Sequence, residues 1–94
     1  MWVEERSPDG TYFQRSANLS SGGIFLEKTI PHPAGTVVNL EFTLPGESEP
    51  LKVRAEIVNA DTLEGGLGMG LRFVDLVPSQ ATLIDQFIAK HGPR

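Results

Sequence analysis

Apolar and polar residues alternate with period two along most of the chain, then switch to a helical period near its end. The clearest stretch runs from Thr36 to Leu44, where Val38, Leu40, Phe42 and Leu44 alternate with Val37, Asn39, Glu41 and Thr43. After the polar turn Pro45-Gly46-Glu47-Ser48-Glu49-Pro50, the series Leu51, Val53, Ala55 and Ile57 alternates with Lys52, Arg54, Glu56 and Val58. Two such runs joined by turn residues predict a hairpin. A further run places Met69, Leu71 and Phe73 on one face and Gly68, Gly70 and Arg72 on the other. Glycines along one strand face favour a bulky neighbour lying over them, ahead of an approach path for a ligand or partner.

The amino-terminal third follows the same logic. Met1 to Arg6 and Thr11 to Ala17 flank Ser7-Pro8-Asp9-Gly10, whose Pro and Asp-Gly are strong turn chemistry, so they predict another hairpin. Asn18-Leu19-Ser20-Ser21-Gly22-Gly23 breaks the run, and Ile24-Phe25-Leu26 makes a brief strand. The segments Pro31 to Gly35 and Asp61 to Gly66 read as connections.

Beyond Pro78 the period changes. Leu83, Ile84, Phe87 and Ile88 form one helical stripe from about Ser79 to Lys90, with Pro78 at the entrance, Ser79 as the cap and Gly92-Pro93 as the stop. That stripe is expected to close the open end of a barrel, in preference to binding a partner helix. The fold predicted is all-β: a six-stranded antiparallel barrel with a C-terminal helix, spanning residues 1–94 as a single domain. Closing the sheet removes exposed edges, which matters where the core is small.

Composition narrows the chemistry. At 94 residues there is room for one modest core. Apolar residues make up 39% and charged residues 21%, an ordinary globular balance without a membrane-spanning run. The absence of cysteine excludes disulfides, thiolate catalysis and Cys-ligated metals. Twelve acids against eight bases leave a net charge of −4, so there is no positive surplus for DNA or RNA. The acidic start Met1-Trp2-Val3-Glu4-Glu5 is unlike a signal peptide, which makes the cytosol the expected location.

Candidate catalytic groups are few. His32 and His91 lack metal-ligand spacing and are expected to be solvated. Glu4 and Glu5 are adjacent, so a strand would point them to opposite faces, a poor geometry for a cooperating pair. Asp9 belongs to a turn and Asp75 lies near the helix start. No phosphate-binding glycine fingerprint precedes a helix. These features predict a protein that is not an enzyme, with no resident cofactor or metal.

The informative segment is Asn18 to Gly23. As a capped turn, its Asn or Ser side chain would bond nearby backbone N–H groups, with Gly22 or Gly23 at positive φ. The same groups suit a ligand: an asparagine amide can pair with a base edge, serine can contact base or phosphate, and glycine permits close approach.

Asn18-x-Ser20-x-x-Gly23 followed by Ile24-Phe25-Leu26 resembles the Asp/Asn-x-Ser-x-x-Gly signature of PilZ domains. Gly35 before a long strand, the Gly68-Met69-Gly70-Leu71-Arg72-Phe73 segment and the closing helix are similar to later landmarks of that family. The resemblance covers nearly the whole chain from Val3 onward. It implies a six-stranded barrel and a link to the bacterial second messenger cyclic di-GMP, through which such domains act on motility, pili, exopolysaccharide synthesis, biofilm formation or virulence. It also implies that Asn18 and Ser20 contact guanine and phosphate and that Gly23 shapes the turn.

One part of the family site is missing. An Arg-x-x-x-Arg motif before the first strand normally stacks on the guanines and pairs with the phosphates, and none of the 94 residues forms one. Arg6, Arg15 and Arg72 are the candidate substitutes. Arginines from another chain or from preceding residues would fill the gap; otherwise the domain has lost the ligand. Two functions follow: a module acting by contact with a protein of the motility, pilus or other signalling machinery, or a true cyclic di-GMP receptor built on Asn18, Ser20 and Gly23. In the first, the Gly68 and Gly70 face with Arg72 is a candidate contact patch. Trp2 and Tyr12 would anchor a partner if exposed, although packing is the favoured role for each.

Overall fold

A computed structural model of the chain describes residues 1–27, 29, 32–61 and 67–92. Six strands, β1 (Trp2–Ser7), β2 (Gly10–Ala17), β3 (Gly23–Glu27), β4 (Val37–Phe42), β5 (Leu51–Asp61) and β6 (Gly68–Val74), precede one helix, α1 (Pro78–His91). The strands close into an antiparallel barrel in the order β1-β2-β3-β6-β5-β4, with β4 pairing back onto β1. Among the described residues, closure leaves no free sheet edge.

Strand alternation maps directly onto the barrel wall. Val38, Leu40, Phe42 and Leu44 point inward with Leu51, Val53, Ala55 and Ile57, and Met69, Leu71 and Phe73 complete their layer. Leu44 is fully buried although β4 ends at Phe42. The β5 register shifts between Ile57 and Asn59, and the resulting bulge bends the strand. Asp61, expected to open a connection, instead ends β5 opposite Gly68, while residues 62–66 of that expected connection lie outside the described residues. Pro31, at the start of the expected loop before Gly35, lies outside them too.

The helix spans 14 residues, a length that is marginal for an isolated helix in water. It is held by Ile84 and Phe87, which join the barrel core, with Leu83 and Ile88 packed at its margin. Burying each large apolar side chain contributes about 1.5–3 kcal/mol. Its start differs from expectation. Val77, not Ser79, is the N-cap, and Pro78 occupies the first helical position. Valine carries no acceptor, so the cap bond is reversed: Gln80 Oε1 accepts the Val77 N–H at 3.3 Å. Among the described residues, no helix is long and apolar enough to cross a membrane.

Candidate ligand-binding site

The β2–β3 connection is organised by Ser20. Its Oγ accepts the N–H groups of Gly22 at 3.1 Å and Gly23 at 3.2 Å, and the Ser20 N–H donates to the Gly23 carbonyl at 2.9 Å. Leu19 is buried at 1% exposure and pins the turn to the core. The positive φ expected at Gly22 or Gly23 falls instead on Asn18, at 52°. Asparagine tolerates this left-handed conformation better than most residues, so it supplies the bend out of β2.

Gly23 is needed for a different reason. A Cβ there would lie 2.1 Å from the Leu71 carbonyl oxygen, so β6 passes too close for any side chain. The Phe73 N–H donates to the Gly22 carbonyl at 3.0 Å and extends the contact. Gly23 also stands opposite Arg72 in the β3–β6 register. The turn and that arginine therefore meet on the outer wall.

The three candidate arginines do not converge. Arg72 neighbours the turn, and its Nη2 lies 2.5 Å from Glu56 Oε1 on β5. Arg15 is opposite Glu27, with its guanidinium carbon 5.5 Å from the Trp2 ring centroid. Three strand residues, about 10 Å, separate Arg15 from Asn18. Arg6 stands between Thr11 and Asn39, and its Nη2 contacts Glu4 at 2.8 Å. No two of them form a clamp beside Ser20.

The glycine face of β6 is covered. A Cβ at Gly68 would strike the Phe25 ring at 2.5 Å, and one at Gly70 would lie 2.6 Å from Asn59 Oδ1. That same oxygen accepts the Gly70 N–H at 3.0 Å. Close neighbours therefore account for these glycines, as the alternation suggested.

A family model for the PilZ domain matches residues 1–90. The chain belongs to the PilZ family. A comparison with curated proteins found no match. Membership makes this PilZ domain a cyclic di-GMP-related signalling module of a family whose members are typically binding modules without enzymatic activity.

Other features of the PilZ domain escaped the residue pattern. His32, expected to be solvated, has only 17% of its side chain exposed and places Nε2 2.7 Å from Glu5 Oε2. Glu5 is fully buried inside the barrel. Its position two residues after Val3, on the inward phase of β1, was the available signal. Trp2, expected to pack, is 65% exposed, and Phe13 on the neighbouring strand is 69% exposed. Both occupy the outward phase of their strands, although aromatic character alone argues for burial.

Proposed function

We propose that this PilZ domain is a noncatalytic cytosolic module of a cyclic di-GMP pathway that acts through protein contacts and has weak or no nucleotide affinity of its own. The observation that carries this reading is the dispersal of Arg6, Arg15 and Arg72. Each has a different partner, in Glu4, the Trp2 ring and Glu56, and only Arg72 borders the turn. Cyclic di-GMP carries two phosphate charges. A hydrogen bond to a charged group contributes about 1.5–3 kcal/mol, so lacking a two-arginine clamp weakens affinity by powers of ten. Ser20 supports the reading too, because its hydroxyl already bonds the turn.

The second reading is a receptor in which Asn18, Ser20 and Gly23 hold the nucleotide together with Arg72. The register of Arg72 opposite Gly23 favours it. Isothermal titration of the 94-residue chain with cyclic di-GMP at low salt separates the two. A flat trace on folded protein is expected. A saturable signal that disappears in Arg72→Ala and survives in Arg6→Ala would overturn the protein-contact reading in favour of the receptor.

A further inference from the structure

Trp2 and Phe13 are the two most exposed large apolar side chains among the described residues. In the β1–β2 register Glu4 faces Phe13 and Trp2 faces Arg15, which makes the two rings diagonal neighbours on the outer wall. Exposed tryptophan and phenylalanine beside one another are costly to leave in water and are common anchors of binding surfaces.

The strand beyond adds charge. Glu4 stands directly opposite Glu41 on β4, an arrangement of like charges that weakens a sheet. Arg6 reaches Glu4 at 2.8 Å, and Lys52 approaches Glu41 only to 4.0 Å. A groove of about 430 Å³ runs between Trp2, Phe13, Glu4, Glu41 and Pro45. Among the described residues lining it, the two glutamates are the only charged side chains, and neither Arg6 nor Lys52 enters it. Glu4 Oε2 is shielded from solvent, and Arg6 Nη2 lies 2.8 Å from this same oxygen without the alignment of a directional hydrogen bond.

Two carboxylates between aromatic walls complement a planar cation. A guanidinium stacks on aromatic faces and bonds carboxylates through its fork of N–H groups. Arg15 already uses the first half of that chemistry on Trp2, a residue that stays 65% exposed. We propose that this groove docks a basic segment of a partner protein, with an arginine between Trp2 and Phe13 bonded to Glu4 and Glu41 and an apolar neighbour against Pro45. The proposal rests on the protein-contact reading above and specifies the chemistry of the partner.

Trp2 is the only tryptophan of the chain, so its fluorescence reports on this groove directly. The probe is an acetylated, amidated peptide of alternating leucine and arginine, compared with the same peptide carrying glutamine for arginine. The arginine peptide is expected to change Trp2 emission saturably, with affinity about tenfold above that of the glutamine peptide. Glu41→Gln and Phe13→Ala are each expected to weaken it about fivefold or more, while circular dichroism confirms the fold.

Equal responses to the two peptides, or no saturable response, would overturn the proposal on the wild-type protein alone. Unchanged affinity in folded Glu41→Gln would do so as well. A change in Trp2 emission with protein concentration, accompanied by a dimer in sedimentation, would assign the groove to a second copy instead. The peptide titration is independent of cyclic di-GMP. Nucleotide binding through Arg72 would defeat the proposed function without altering that titration, and a flat peptide titration would defeat the groove alone.

Discussion

His32 Nε2 lies 2.7 Å from Oε2 of Glu5, a carboxylate with no solvent exposure. Gln14 Nε2 donates to the other oxygen at 3.1 Å, so β1, β2 and the segment before β4 converge on one buried acid. The imidazole contact is close but is not aligned as a hydrogen bond to Oε2. A buried carboxylate is tolerated only with compensation of this kind.

Removing one partner should therefore be worse than removing both. His32→Ala is expected to destabilise the domain by about 3 kcal/mol, because the buried acid loses the polar group that faces it. Replacing Glu5 and His32 together with leucine should recover most of that loss. Urea unfolding of the single and double variants measures the coupling, and a His32→Ala value within about 0.5 kcal/mol of wild type would show that the pair is unimportant.

Asp9 gives a pH-dependent signature in the first hairpin. The Ser7 hydroxyl donates to its Oδ1 at 2.5 Å and holds the carboxyl below its ordinary value of 3.8, outweighing a smaller upward push from desolvation. The negative charge of Asp9 in turn raises the Tyr12 hydroxyl above 10.0. Because the Asp9 pKa is lower folded than unfolded, its stabilisation is present above about 3.8 and is lost as pH falls through the folded value. Carboxyl-detected NMR titration should show Asp9 moving upward in Ser7→Ala. An unchanged midpoint would rule out the hydroxyl as the cause.

The glycines predict an order of damage. Gly23→Ala places a methyl 2.1 Å from the Leu71 backbone oxygen, and a paired strand cannot step aside. A cost of about 3 kcal/mol or more is expected. At Gly68 the nearest obstacle is the Phe25 ring, which can rotate away, and the Leu26 carbonyl oxygen stands farther off at 3.1 Å, so Gly68→Ala should cost less. Thermal melts of the two variants test the order. Equal melting temperatures would mean that β3 and β6 can separate locally at the turn.

Glu56 offers a gain-of-function test of the nucleotide question. Its carboxylate neutralises Arg72 at 2.5 Å beside Gly23, and both side chains are partly exposed. Glu56→Gln removes that charge while changing stability by less than about 1 kcal/mol. If the barrier to cyclic di-GMP binding is a shortage of available positive charge, affinity should rise about tenfold in the variant, measured by titration at low salt. No gain would leave the occupied arginine without a part in the weak affinity.

Much of the barrel was legible because closure depends on a local signal. In β4, β5 and β6, residues two apart share a face, and every inward position named from the alternation is buried. The Ser20 turn was legible too, since a hydroxyl near two glycines has few backbone partners to choose from. The cap at Val77 was not, because Gln80 reaches back to it and also donates its Nε2–H to the Lys52 carbonyl at 3.0 Å on a distant strand.

The sequence by itself determined the strand periodicity, the turn residues, the helical stripe and the family signature, all of which depend on neighbours a few positions apart. Only the tertiary structure decided which residues meet across strands: Gly23 with the Leu71 carbonyl, Arg72 with Glu56, Glu4 with Glu41 and Glu5 with His32. Alternation specifies which face a side chain occupies. Register and barrel closure specify its neighbour on that face, and charge and burial act on that neighbour.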